Sequence, residues 1–242
     1  MTYLNQWQLS TLQNLDIKIM ARRLTDTFMK EWNGNNASWR SMLGINKGYN
    51  TNEREADDYY TTDPTAVLQF INNLSKYRAR LAGGFFDTIW EPACGCGNIS
   101  KVLIDAGYKV YSTDLFDRGF GVSGVDFLQT TKMPNNCDTI ITNPPYMLAN
   151  EFILHAMDIL PIHGRYFALM NLSYLTGQKR HKEIYDKGYL RAIYVYPHRI
   201  NCYKNNKNTG HSSPVNYAWF EFSPSNAKSI IKFAPFICWI ER

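Results

Sequence analysis

At 242 residues, with 45% apolar and 19% charged side chains, the chain suits one soluble α/β domain with an appendage and is too apolar for a disordered protein. No run approaches the roughly 18 consecutive apolar residues of a membrane span, and the N-terminus mixes Asn, Gln, Ser and Lys where a secretory signal would be apolar. A cytoplasmic protein that does not enter a membrane is therefore expected, and the net charge of +5 excludes no polyanionic partner.

Residues 4–32 predict a helix, with Ile17, Met20, Leu24 and Phe28 on one face, and the Asn- and Gly-rich stretch 33–57 reads as a long loop. Together 1–57 form an N-terminal helical extension, and 58–242 a second, larger unit. Asp63 is placed to cap a helix that accepts Pro64 in its first turn. Val67, Phe70, Ile71, Leu74 and Leu81 carry its apolar face as far as Gly83-Gly84.

The run Trp90-Glu91-Pro92-Ala93-Cys94-Gly95-Cys96-Gly97-Asn98 reads as a strand end and glycine turn. A helix through Ile99, Val102, Leu103 and Ala106 follows and stops at Gly107. Ser100 stands where the dinucleotide fingerprint needs its third glycine, which argues against a bound pyrophosphate. The next strand, Tyr108 to Thr113, ends in Asp114, seventeen residues past Gly97, where an acid would meet ribose hydroxyls. A helix-cap or turn role is the alternative for Asp114, and equally for Asp126; Glu91 could instead orient the turn through backbone hydrogen bonds.

A fourth segment carries the chemistry. After the apolar run Thr139-Ile140-Ile141-Thr142 comes Asn143-Pro144-Pro145-Tyr146. A residue before proline is kept extended, so the chain cannot turn helical at Asn143, and two prolines remove two N–H donors. What remains is a group of carbonyl oxygens beside an Asn side-chain oxygen, an acceptor site for an –NH2, with Tyr146 as an aromatic face for an extruded base. The bland alternative is a Pro-Pro turn after a buried strand.

Further on, Phe152–Leu160 predicts a helix, Tyr166–Leu172 a buried strand, Lys179–Lys187 a short basic helix, and Ala192–Tyr196 and Val215–Phe222 two more strands. Strands alternating with helices predict an α/β fold, a mainly parallel sheet with helices on both faces. From Pro161 to Tyr217 nine Lys or Arg stand against two acids, Glu183 and Asp186, a local +7 that leaves −2 for the rest. Such a run can be a solvated loop surface, yet it is interleaved with Tyr174, Tyr185, Tyr189, Tyr194, Tyr196 and Tyr203. Phosphate contact with base stacking is the stronger reading, with Lys179, Arg180, Lys182, Arg199, Lys204 and Lys207 as nucleic-acid contacts in basic loops at 173–214. The five cysteines (94, 96, 137, 202 and 238) are odd in number and contain no C-x-x-C pair, so neither disulfides nor a metal site is expected.

In this order the motifs resemble the Rossmann-like, S-adenosylmethionine-dependent N6-adenine DNA methyltransferases, and in particular the small ones of phages and prophages. The resemblance covers roughly residues 58–222. It rests on Asp58-Tyr59-Tyr60-Thr61-Thr62-Asp63-Pro64, Glu91 to Gly97, Asp114-Leu115 with Arg118-Gly119, and Asp126-Phe127-Leu128. To these it adds Asn143 to Tyr146, Pro197-His198-Arg199-Ile200 and Ser213 to Phe220. The resemblance implies S-adenosylmethionine as cofactor, held by Tyr60, Thr62 and Pro64, by Glu91, Pro92, Ala93, Gly95 and Gly97 on its methionine side, by Asp114 and Leu115 at the ribose, and by Asp126 and Phe127 at the adenine. It implies DNA as partner, Asn143, Pro144, Pro145 and Tyr146 as the catalytic segment acting on a flipped adenine, and an antiparallel final strand. Methylation of cytosine N4, of a ribosomal RNA base or of a release-factor glutamine are the rival reactions. A non-catalytic nucleic-acid-binding module is the rival class.

Overall fold

The computed structural model describes residues 60–80, 88–134, 137–204, 215–224 and 234–241, with the side chains of 60, 77–80, 203 and 204 excepted. The chain divides into two compact units, Met1–Tyr49 and Asn50–Arg242, and every described residue belongs to the second. The expected helix at 4–32, the loop at 33–57, Asp58, Tyr59, Gly83-Gly84 and Lys207 lie outside the described residues.

The central sheet contains β2 (Thr88–Glu91), β3 (Lys109–Ser112), β4 (Thr139–Thr142), β5 (Arg165–Asn171), β6 (Leu190–Val195), β8 (Tyr217–Phe222) and β9 (Phe236–Trp239). A two-stranded antiparallel ribbon pairs β1 (Tyr60–Thr62) with β7 (Cys202–Lys204). The sheet order is β3-β2-β4-β5-β8-β6-β9. Strands β3, β2, β4 and β5 pair in parallel, β8 runs antiparallel to both neighbours, and β6 pairs in parallel with β9. This is the mainly parallel sheet that the alternation predicts.

Burial on both faces explains why the inner strands lack a regular polar–apolar alternation: every residue of β4 and β8 is buried, Glu221 included, as are Tyr166 to Met170 of β5. Neighbouring residues feed opposite faces. Ile141, Phe167 and Trp219 enter one core with helix α1 (Pro64–Arg80) and helix α2 (Asn98–Asp105). Ile140, Tyr166 and Phe220 enter the other with helix α3 (Ala149–Ile159). The period of two along each strand thus becomes two cores and a three-layer fold.

Helix α1 starts as its sequence predicts. Asp63 Oδ1 accepts the Thr65 N–H at 2.9 Å, Pro64 occupies the first turn, and Val67, Phe70, Ile71 and Leu74 are buried. Phe70 stacks on Trp219 at 4.4 Å and meets Tyr194 edge-on at 5.4 Å, so α1 docks across β8 and β6. Asn73 fixes its far end, donating to the Glu241 carbonyl and accepting from the Glu241 N–H, each at 3.0 Å.

Three expectations change in detail. The basic helix is three α residues, Gln178–Arg180, that widen into a π turn at His181–Tyr185. Strand β8 begins at Tyr217, two residues after Val215. The antiparallel strand is not the last, because β9 follows it and pairs at the sheet edge. Phe236, Ile237 and Trp239 of β9 are exposed, so the alternation that marks a half-buried strand is missing from its sequence.

Candidate cofactor and acceptor site

Strands β2, β3 and β4 end on the same side of the sheet, at Glu91, Ser112 and Thr142. From β2 the chain runs outward to β3 and then back past β2 to β4, so the loops after β2 and β4 diverge and leave a crevice. A cavity of about 390 Å³ lies there, a size suited to a small organic ligand.

The glycine turn forms one wall, with Glu91, Pro92, Ala93, Gly95 and the two cysteines Cys94 and Cys96 facing the cavity. Its shape is held through main-chain donors: the Cys94 N–H donates to the Thr113 carbonyl at 3.0 Å, and the Gly95 N–H to the Asp114 side chain, Oδ2, at 2.8 Å. Gly97 lies outside the cavity wall. It caps α2 at φ +82°, and a Cβ there would stand 2.5 Å from the Phe120 ring. Glycine at 97 is thus required by close packing and a left-handed backbone, not by ligand approach.

Ser100, the residue in place of the third glycine, is fully buried, and its hydroxyl bonds the Glu91 carboxyl while lying 2.6 Å from Ser112 Oγ. Glu91 is 1% exposed. Burial, and secondarily the nearby Asp114, pushes its pKa up to about 8 against the opposing Ser100 bonds. Glu91 is a neutral or partly neutral acid at physiological pH.

Asp114 is buried at the strand end. Its Oδ2 accepts from Gly95 and its Oδ1 from the Phe116 N–H at 2.9 Å, so it shapes the turn while lining the cavity. Asp126 does likewise: Oδ1 accepts the Leu128 N–H at 3.0 Å at the start of a short 3-10 turn, Phe127–Gln129. Both structural roles allowed for these acids are present, and both acids also face the cavity. Leu115 and Phe127 join them there, with Phe127 wedged between Trp90 at 5.2 Å and Phe152 at 4.7 Å.

The Asn143–Tyr146 segment closes the opposite wall through Asn143 and Pro145, followed by Met147 and Leu148. Pro144 and Tyr146 stand outside the wall. The Tyr146 ring stacks on Tyr217 of β8 at 6.0 Å and 27°. Burial, followed by Cys202 and Tyr217, drives its hydroxyl pKa well above the usual range. The residue expected to stack on a base is packed instead between β7 and β8. From β1, Thr62 reaches the wall; its carbonyl accepts from Asn98 Nδ2 at 2.9 Å, and its hydroxyl, on a residue 2% exposed, has no hydrogen-bond partner. Tyr60 is described at the main chain alone, and Pro64 lies outside the wall as the exposed first residue of α1.

The basic segment is less uniformly available than its sequence suggests. Lys179, Lys182 and Arg199 are exposed, and the Lys204 side chain is not described. Arg180, expected at a phosphate, has partners in its own chain: Nε donates to Asn150 Oδ1 at 3.0 Å, one terminal nitrogen donates to the carbonyls of Tyr174 at 3.0 Å and Thr176 at 2.5 Å, and the guanidinium lies 4.0 Å over the Tyr174 ring. With those donors and one face committed, it braces its own loop. Arg165 and Arg191 each reach Glu221 Oε1 at 3.2 Å and serve the sheet.

Sequence reasoning missed several wall residues, among them Asn98, Phe116 and Arg118. An aromatic and a cation two and four positions past a strand-end acid were a usable signal; Arg118 lies 5.3 Å over the Phe116 ring. None of the five cysteines, all among the described residues, forms a disulfide. Among the described residues no group of three or more His, Cys, Asp or Glu could hold a metal ion, and no helix is long and apolar enough to cross a membrane.

No protein-family model matches the chain, and no curated protein sequence matches it. Solved structures do. A protein from Listeria monocytogenes assigned as a class I S-adenosylmethionine-dependent methyltransferase is 14% identical, with 85% of this chain and 74% of that one covered and a TM-score of 0.54. A modification subunit assigned to a type I restriction enzyme of Vibrio vulnificus is 13% identical over 99% of this chain and 53% of that chain, with a TM-score of 0.51. A protein from Pyrococcus horikoshii assigned as an RNA methyltransferase is 14% identical over 76% and 98%, with a TM-score of 0.50. At these identities the likeness is one of architecture: the chain has the Rossmann-like α/β fold of S-adenosylmethionine-dependent methyltransferases.

Proposed function

We propose that this protein transfers the methyl group of S-adenosylmethionine to the N6 amino group of adenine in DNA. The observation that carries the reading is that Asn143 and Pro145 face the same cavity as the glycine turn, Asp114 and Asp126. The wall suits a nucleoside bearing a charged amino-acid arm. Asp114 and Asp126 offer acceptors for hydroxyl and amino groups, Leu115, Phe127 and Leu128 an apolar surface for a flat base, and Thr62 a buried hydroxyl still lacking a partner. Glu91, Pro92, Ala93 and Gly95 would hold the methionine end. When bound, the cofactor supplies an electrophilic methyl on a sulfonium.

The chain's own contribution falls on Asn143 and the peptide after it. The lone pair of an adenine amino group is delocalised into the ring, so transfer needs a state in which positive charge grows on that nitrogen. Asn143, at the cavity wall, would accept one of its hydrogens through Oδ1, and the second would go to the Pro144 carbonyl once the peptide leading into Pro145 turns toward the amine, an interaction stronger in that state than in the neutral amine. The bond from the methyl to sulfur would break as the bond to N6 forms, leaving a thioether, and one N6 proton would pass to solvent after transfer, so no strong base is required and alignment in the cavity does the rest. The base reaches the cavity by extrusion from the duplex, with the exposed Lys179, Lys182 and Arg199 on phosphates. Tyr146, backed by Tyr217, supports the acceptor loop.

Two of the fold neighbours are assigned to nucleic-acid modification, one as a restriction-enzyme subunit and one as an RNA methyltransferase, and the motif order of this sequence favours DNA over RNA. Mass spectrometry of nucleosides and peptides after incubation of DNA, RNA and protein with labelled cofactor tests this: N6-methyladenine in DNA is expected. N4-methylcytosine, label in RNA or glutamine, or no label at all would replace the reading with one of its rivals. Asn143→Ala should keep cofactor affinity and lose turnover by about a hundredfold, as a lost contact to developing charge does. Full activity in that variant removes Asn143 from the chemistry.

A further inference from the structure

Pro144 and Pro145 remove two N–H groups through which the main chain here could be tied down, so the carbonyls are what remains to hold it. The Pro145 carbonyl is held locally by the Leu148 N–H at 2.9 Å. The next carbonyl, that of Tyr146, is held from another segment: the Tyr174 hydroxyl donates to it at 2.5 Å. Tyr174 lies in the turn after β5, and its own position is fixed three ways. Asn171 Oδ1 accepts the Ser173 N–H at 3.0 Å at the start of that turn. The Tyr174 carbonyl receives the Tyr185 hydroxyl at 2.5 Å and the Arg180 guanidinium at 3.0 Å. Arg180 also covers the Tyr174 ring and reaches Asn150 in the first turn of α3, the helix that the acceptor segment runs into.

We propose that Tyr174, backed by Arg180, is a positioning residue for methyl transfer: it clamps the Tyr146 peptide, and through it the Asn143–Pro145 acceptor edge, to the basic loop that carries Lys179 and Lys182. This rests on the methyltransferase reading for its consequence in turnover, though not for the clamp itself. A nucleic acid held on Lys179 and Lys182 is by this route mechanically joined to the group that receives its base. The contact acts on a main-chain carbonyl outside the cavity wall, so its loss leaves the binding surfaces intact and shifts the acceptor geometry.

Tyr174→Phe removes the one donor and retains the ring under Arg180. Turnover should fall about tenfold, while the KM for DNA and the affinity for cofactor stay within about twofold. Amide exchange in residues 146–150 should rise by about tenfold, with the rest of the sheet unchanged. Unchanged turnover, or a loss confined to KM, overturns the positioning role. Should the wild-type protein label no DNA, the proposed function falls and exchange alone decides: no increase at 146–150 overturns the clamp. Arg180→Lys keeps the charge and loses the fork, and it should lower turnover without adding to the effect of Tyr174→Phe in the double variant. A raised KM for DNA with a salt slope smaller by about one would instead make Arg180 a phosphate contact and overturn its part in the clamp.

Discussion

At Asp114 both carboxylate oxygens accept main-chain N–H groups, from Gly95 and Phe116, while the side chain faces the cavity. Asp114→Ala should therefore do two things. It leaves two buried-side donors without acceptors, at about 1–3 kcal/mol of stability, and it weakens cofactor binding measured by calorimetry. A variant as stable as the parent and equally able to bind would show that neither contact matters. At Glu91 the consequence is a pH dependence. The folded chain holds this proton up to about 8, whereas an exposed glutamate loses it near 4.5. The native state thus binds more protons than the unfolded state across that window, so stability is fully present below about 4.5 and declines as pH rises toward 8. Urea midpoints at several pH values should show this decline in the parent and a flatter profile in Glu91→Gln; identical profiles would place the shift elsewhere.

Among the elements, α2 depends on a single residue at its start. Gly97 combines φ +82° with a Cβ position 2.5 Å from the Phe120 ring, so Gly97→Ala meets backbone strain and overpacking together. A loss of about 1–3 kcal/mol is expected, read as a lower urea midpoint at unchanged slope. No change would mean that Phe120 yields freely. The other end of α2 was legible in the sequence because Gly107 is a local stop signal: it adopts φ +91°, and the Gly107 and Tyr108 N–H groups close onto the Ile104 and Leu103 carbonyls. Strands β1, β7 and β9 carry no such local signal. The first two are three-residue partners that exist by pairing with each other, and β9 is an exposed edge.

For the molecule as a whole, charge must be counted after folding. Of the nine cations between Pro161 and Tyr217, Arg165 and Arg191 serve Glu221 and Arg180 serves its own loop, which leaves at most six for the phosphates of the proposed DNA, Lys204 and Lys207 among them with side chains outside the described residues. The log–log dependence of DNA affinity on salt should then be no steeper than about −5, at about −0.9 per phosphate neutralised. A slope near −8 would return the three arginines to the interface. Contacts of this kind position without specifying, so short or relaxed sequence preference is expected. Mapping methylated adenines across a plasmid checks it: a sharply defined site of six or more base pairs would assign real base reading to these loops or to the first 57 residues.

The sequence by itself determined what local stereochemistry and periodicity can encode. The donor-poor turn at Asn143 to Tyr146 follows from Pro-Pro after a buried strand, the start of α1 from Asp63-Pro64, the glycine turn from Gly95 and Gly97, and the two-faced burial of the sheet from runs without alternating charge such as Thr139 to Thr142. The tertiary structure decided which of several similar side chains are committed. Lys179 and Arg180 are adjacent and both cationic, yet one is exposed and the other is bound to Asn150, Tyr174 and Thr176. Tyr146 and Phe127 are both aromatic, yet Phe127 faces the cavity and Tyr146 packs on Tyr217. Ser100 breaks a ligand-binding pattern in sequence and completes a hydrogen bond to Glu91 in space. Commitments of this kind depend on partners far away in the chain, whose positions are set when strands and helices pack, and no spacing within one segment records them.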